Sequence, residues 1–421
     1  MFEVVGRSLF GTGKRRLGKT GAAAGAAALA LGQTKVAFAA SGSPTRDVLV
    51  YVMLRGGMDG LSLCVPHADP DYAWQRGNLA LPGPGQSGGV TDLDGFFGLS
   101  PSALALLPAY QAGELAFIQT VGSTDPTRSH FDAMKFIEGG VPNQQASIVT
   151  SGWLGRHLAA VPPLDPDAPL RAAAVDYVFP LTMAGAPAAL SIPELDSFDF
   201  GGYSTSVSAR QEVLRDLYST QPEPLRGSAE ATLETVDVLD GIDFENYVPS
   251  GGAVYPDTEF GQRFQSAAAL IKAGVGVEAI EIDRGGWDHH DNMGPINGEL
   301  AGMLEELSQT LAAFRLDLGS ELANVTVVAQ SEFGRRVDTN GSAGTDHGRG
   351  GCMLVMGGNV NGGQVIHDWI GLDPAILDNL ALPVRLDYRD VLTEILMERI
   401  GNPGALSLFP GHTFTNLNVV S

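Results

Sequence analysis

Val48-Leu49-Val50-Tyr51-Val52-Met53-Leu54 runs for seven residues without a charged side chain, and then breaks into Arg55-Gly56-Gly57-Met58-Asp59-Gly60. A β-branched, apolar run of this length, ended by a charged glycine turn, reads as a strand covered on both faces. Leu115 to Val121, Val277 to Ile282, Val325 to Gln330 and Cys352 to Met356 repeat the form, each beside a glycine-rich or polar segment. Between them lie helical spacings. Phe260, Phe264, Ala268 and Ile271 fall on one face, as do Leu300, Leu304, Leu307, Leu311 and Phe314. Buried strands alternating with amphipathic helices predict an α/β fold with a mostly parallel sheet sandwiched by helices. Residues 180–255 are poorer in this alternation and richer in Pro, Gly, Ser and acids. They read as an inserted cap region of a single domain over 40–421.

The chain carries 26 Lys+Arg against 48 Asp+Glu, a net charge of −22. Such a balance argues against nucleic acid or an anionic membrane as partner, because both repel an acidic surface. Only Cys64 and Cys352 are present, so no disulfide framework staples the fold. Both sit in apolar runs and read as buried free thiols, with a single disulfide as the alternative in an oxidising compartment.

Lys14-Arg15-Arg16 is followed by the Ala-rich run Gly21 to Leu31 and by Ala37-Phe38-Ala39. The small-x-small ending suits a signal peptidase, and the apolar run is too short to span a bilayer. Residues 1–39 therefore read as a twin-arginine signal peptide. The expected product is exported by the Tat translocase to the periplasm or the cell exterior and spans no membrane after processing. Proteins on this route commonly fold, and often gain a cofactor, before export.

Ligands of open α/β sheets bind beyond the carboxyl ends of the strands. The chemistry-bearing residues gather there: Arg55 and Asp59; Arg128, Ser129 and His130; Asp288, His289 and His290; Glu332 and Arg335; Asp346, His347 and Arg349. Four of the eight histidines lie in these segments, each near a carboxylate. Asp288-x-His290 with Asp346-His347 can supply three or four ligands to a divalent ion, zinc, manganese or calcium. The alternative is that each Asp–His pair is a hydrogen-bonded clamp holding a loop. Ser129 precedes the periodic residues Phe131, Met134 and Ile137, which suits a helix N-cap. The same position suits a nucleophile, since the positive end of the helix favours an anion there. Arg55 and Arg335 have the planar fork that binds phosphate or sulfate oxygens. No P-loop, dinucleotide fingerprint or Gly-x-Ser-x-Gly elbow occurs.

Six motifs, in order, carry a resemblance: Leu54-Arg55-Gly56-Gly57-Met58-Asp59-Gly60, Arg128-Ser129-His130-Phe131, Gly152-Trp153-Leu154-Gly155-Arg156, Gly286-Trp287-Asp288-His289-His290, Ser331-Glu332-Phe333-Gly334-Arg335 and Gly344-Thr345-Asp346-His347-Gly348. Over residues 46–415 the chain resembles domain-of-unknown-function family 1501, a bacterial, commonly Tat-exported group in the alkaline phosphatase/sulfatase superfamily. The resemblance implies an alkaline-phosphatase-like fold. It matches Ser129 to the superfamily nucleophile, Asp288 and His290 to the middle metal ligands, and His347 to the last histidine. Two positions depart from the superfamily pattern: Arg55 stands where an Asp is expected, with Asp59 nearby, and Glu332-Phe333 replaces an Asp-His pair.

The expected function is hydrolysis of a small anionic ester, phosphate or sulfate. Ser129 attacks, Asp288, His290 and His347 hold the ion with Asp346 and Asp59 beside them, and Arg55 or Arg335 steadies the anion. His130 or Glu332 moves protons. The alternative is a non-catalytic exported binding or structural protein on a degenerate copy of the same fold.

Overall fold

The computed structural model describes residues 47–421 apart from 146–148, 194–199, 201, 224 and 245, so the leader over 1–39 lies outside the described residues. In chain order the main sheet contains β1 (Val48–Leu54), β2 (Leu115–Gly122), β3 (Ala172–Ala174), β4 (Ala189–Ser191), β5 (Ala279–Arg284), β6 (Val325–Gln330), β7 (Gly351–Gly357), β8 (Gln364–Ile366) and β9 (Leu386–Asp387). The principal helices are α1 (His130–Gly139), α2 (Trp153–Ala160), α3 (Val207–Ser219), α4 (Leu225–Asp240), α5 (Glu259–Ala273), α6 (Glu299–Leu318) and α7 (Tyr388–Glu398). None of the described helices is long and apolar enough to cross a membrane.

β1 lies near the middle of the order β8-β2-β7-β6-β1-β5-β3-β4, with β9 also beside β2. It pairs in parallel with β5 and β6, so that Val50 stands beside both Ile280 and Val327. Because strand side chains alternate, β1 feeds two cores. Val50, Val52 and Leu54 pack with Phe264 of α5 and Leu304 and Phe314 of α6. Leu49, Tyr51 and Met53 pack with Trp153 of α2 and Leu392 and Ile395 of α7. The fold is thus mixed α/β, with a mostly parallel sheet between helical layers.

One expectation changes. Cys352–Met356, within β7, runs antiparallel to both β2 and β6. The cause is the connection: residues 331–350 hold no helix, and a parallel return needs a crossover that is usually helical. Within 180–255, the stretch read as a cap, β4 lies at the sheet edge beside β3, and the paired helices α3 and α4 follow. Strands of three residues, one of them all alanine, carry no readable period. Cys64 and Cys352 are buried free thiols.

Glu281 of β5, opposite Tyr51 of β1, is 1% exposed, and neither carboxylate oxygen has a hydrogen-bond partner among the described residues. Burial, with Asp283 and Glu138 nearby, pushes its carboxyl well above the usual range. A carboxyl raised in this way contributes stability below its unfolded pKa and loses it as pH climbs toward the folded value. Glu281→Gln removes the ionisation. It is expected to stabilise the protein at pH 8 by on the order of 1–3 kcal/mol, with a smaller gain at pH 5, read from urea midpoints at the two pH values.

Candidate metal centre

The carboxyl ends of β1, β5 and β6, the first turn of α1 and the loop joining β6 to β7 contribute to one cluster of side chains. Close backbone contact holds these loops together. Gly56 sits at φ +124°, and a Cβ there would stand 2.6 Å from the Asp288 nitrogen. Only glycine allows that approach. The Gly56 N–H donates to both oxygens of Glu332, at 2.9 and 3.2 Å, which joins the β1 turn to the end of β6. Gly344 abuts His290 as closely, and Arg335 bridges His347.

Three histidines turn corresponding atoms outward and inward. His130 Nδ1 lies 2.5 Å from Glu332 Oε1, His347 Nδ1 lies 2.7 Å from the Arg128 carbonyl, and His290 Nδ1 lies 3.3 Å from Asp346 Oδ1. A carbonyl or an ionised carboxylate only accepts, so each Nδ1 carries the hydrogen and each neutral ring presents a lone pair at Nε2. The His347 Nε2 is close to each of the other two. His347 Nε2 is 3.0 Å from that of His130 and 2.8 Å from that of His290. Asp288 closes the group: Oδ1 is 3.1 Å from both His290 Nε2 and His347 Nε2, and Oδ2 is 3.3 Å from His130 Nε2.

Lone pairs and a carboxylate facing one another at such distances require a positive charge among them. Ligands about 2.0–2.2 Å from a tetrahedral ion stand about 3.3–3.6 Å apart, and the separations among His130, Asp288 and His347 run from 3.0 to 3.3 Å. His130, Asp288 and His347 offer ligand atoms all within 4.8 Å of one another. The chemistry agrees, since three imidazoles and one carboxylate suit zinc or manganese, whereas calcium prefers oxygen alone. Electrostatics point the same way. Burial works against the charged form of Asp288, yet Arg335 and the three histidines hold its carboxyl below the usual range. The hydrogen bond to Glu332 raises His130, while burial lowers His347 and favours its neutral, ligating form. A proton on His130 and a metal ion are alternatives for one position.

The sequence pattern of DUF1501, a family described as proteins of unknown function, matches residues 118–383, more than half of the 421 residues. The chain belongs to this family. The matched span holds all four converging residues of the DUF1501 chain, while the Leu54–Gly60 motif lies before it. No curated protein matches the chain. Among solved structures it is similar to a sulfatase from Pseudoalteromonas sp., with 11% identity, 89% of this chain and 73% of that one covered, and a TM-score of 0.39. It is also similar to the alkaline phosphatase of the Antarctic bacterium TAB5, with 10% identity, 77% and 95% covered, and a TM-score of 0.33. A third is the C-terminal periplasmic domain of EptC from Escherichia coli, in complex with Zn, with 9% identity, 75% and 74% covered, and a TM-score of 0.32.

The structure of this DUF1501 protein sorts the expected residues by atom. Asp288, expected as a ligand, lies against His290 and His347, and His130, expected to move protons, lies against Asp288 and His347. Asp346 stands behind His290, accepting from Asn340 and facing Arg336, in place of a ligand position. Asp59 is apart from the cluster: it is buried against Arg76 and accepts from Ser62. A carboxylate so buried needs its own cation, which Arg76 provides. Glu332 is 1% exposed and accepts from Gly56, Ser331 and His130, so it orients His130. Arg55 turns from the cluster to Glu138 and Asp283. Arg335, fully buried, donates through Nη2 to Asp288 Oδ1 at 2.9 Å. Ser129 is exposed at the N-cap of α1 with no side-chain capping bond, between Arg128, whose carbonyl holds His347, and His130 itself. The Arg128 carbonyl had no signal in the sequence, because any residue type offers one.

Proposed function

We propose that this protein is an exported, metal-dependent hydrolase of phosphate or sulfate esters. One observation carries the reading: three histidine Nε2 lone pairs and the Asp288 carboxylate face one another, each Nδ1 being tied to an oxygen acceptor. His130, Asp288 and His347 would hold a single zinc or manganese ion, with His290 beside Asp288 and His347. When bound, such an ion supplies Lewis acidity to an ester oxygen. Ser129 is the nucleophile. Its hydroxyl stands at the positive end of α1 and is free of a capping role, so its oxygen can meet an anionic ester. Arg335 holds the Asp288 carboxylate in place, and Glu332 and Asp346 fix two of the imidazoles. Arg55 is engaged by two carboxylates and serves the loop, not the substrate.

Export by the twin-arginine route belongs to the same proposal. Its support is Lys14-Arg15-Arg16, the short Ala-rich run and Ala37-Phe38-Ala39. Folding before export would load the ion from a controlled cytosolic pool.

The test is metal content and turnover on the purified protein. About one equivalent of zinc or manganese is expected, with hydrolysis of 4-nitrophenyl phosphate or sulfate that chelation removes and the ion restores. Protein that retains no divalent ion and turns over neither ester would overturn this reading in favour of the non-catalytic binding protein.

A further inference from the structure

Behind the histidines the acidic chain gathers three guanidinium groups that the metal centre does not use. Arg128, Arg336 and Arg349 expose 24%, 24% and 16% of their side chains, and they meet at one turn, Asp378-Asn379. Arg349 Nη1 donates to Asp378 Oδ2 at 2.6 Å, and Arg128 Nη2 donates to the Asp378 carbonyl at 2.8 Å. With its amide oxygen turned inward, Asn379 accepts from Arg336 at 2.9 Å and from Arg128 at 3.2 Å. Acceptors are therefore scarce. Asp378 is one carboxylate for two of these cations, Asp346 is shared between Arg336 and His290, and the third bridge is an uncharged amide. Burial, together with Arg336 and Arg349, lowers the Arg128 guanidinium despite Asp378, which marks mutual repulsion within the group.

Contact with the metal centre is direct. The Arg128 carbonyl fixes His347, and Arg336 faces the carboxylate that fixes His290. In a chain of net charge −22, three partly exposed guanidiniums that share two carboxylates, Asp378 and Asp346, form a local positive rim. The geometry points to a second anion subsite on this rim, formed by Arg128, Arg336 and Arg349, for a substrate that carries another anionic group besides the ester. Carboxylate, sulfate and phosphate share the acceptor geometry that arginine forks recognise. The subsite deepens the proposed hydrolase and rests on that reading for its role, though not for its anion binding.

Asn379→Asp tests it without dismantling the rim. The position has φ 48°, which Asp tolerates, and the new carboxylate would sit between Arg336 and Arg128, neutralising the rim while bridging the same groups. Inorganic sulfate is titrated calorimetrically into metal-free protein at pH 8. Wild type is expected to bind it, and Asn379→Asp to bind it about tenfold or more weakly, the equivalent of one charge-assisted hydrogen bond. Arg336→Gln, which removes a cation without adding a carboxylate, is expected to lose a similar factor. Sulfate affinity unchanged in both variants, or no sulfate binding by wild type, overturns the subsite. On metal-loaded protein, Asn379→Asp should raise KM for a nitrophenyl phosphate bearing a ring carboxylate more than for the plain ester. If wild type turns over neither ester, the hydrolase reading fails, while the sulfate titration still decides the rim.

Discussion

If the proposed hydrolase reading holds, Asp288→Ala is expected to lower divalent-ion affinity by about a thousandfold or more, and hydrolysis with it. Asp288 is the one anionic member of the converging group and approaches all three Nε2 atoms through its two oxygens. Its removal leaves the imidazoles beside Arg335, whose guanidinium then loses the carboxylate it is hydrogen-bonded to. A cation meets both the loss of a ligand and an added repulsion. Glu332→Gln makes the comparison. It keeps the shape behind His130 but loses the carboxylate that holds the Nδ1 proton, and such outer partners contribute about 10- to 100-fold in metal affinity. Metal titration of the two variants should rank them in that order. Equal, small losses would show the cluster to be a set of loop clamps.

The hydrogen-bonding roles explain why part of this site was legible in the sequence and part was not. Asp288, His290 and His347 could be picked out because metal ligands must be His or carboxylate and must follow strands in an α/β sheet. His130 looked like a proton carrier because sequence does not say which nitrogen faces inward. That depends on Glu332, 202 residues away along the chain. Asp59 and Asp346 had the right chemistry in the right loops, but Arg76 and His290 claim them, and such pairings are set by packing. The fold shows the same division. The apolar runs of β1, β2, β5 and β6 announced buried strands through composition alone, whereas the antiparallel course of β7 follows from the helix-free connection before it. The three-residue strands β3 and β4 are too short to announce anything.

Ser129→Ala separates the remaining roles of one residue, and its expected result is loss of turnover with little loss of stability. As a helix cap, Ser129 would contribute about 0.5–2 kcal/mol through a bond from its oxygen to an N–H of the first turn. No such bond forms here, so its replacement should leave the melting temperature close to wild type. As a nucleophile it forms the new bond to phosphorus or sulfur while the bond to the leaving alcohol breaks, and its proton passes to the solvent that reaches the exposed hydroxyl. Without that oxygen, hydrolysis has only water to fall back on. Turnover should fall by about a thousandfold or more, in keeping with the loss of a nucleophile that acts as part of a unit. Metal content should hold, because the four converging residues are unchanged. A variant that keeps its metal and its activity but melts several degrees lower would assign Ser129 to capping and move the attack to water. A variant that keeps fold and metal but loses turnover would make Ser129 the reacting group.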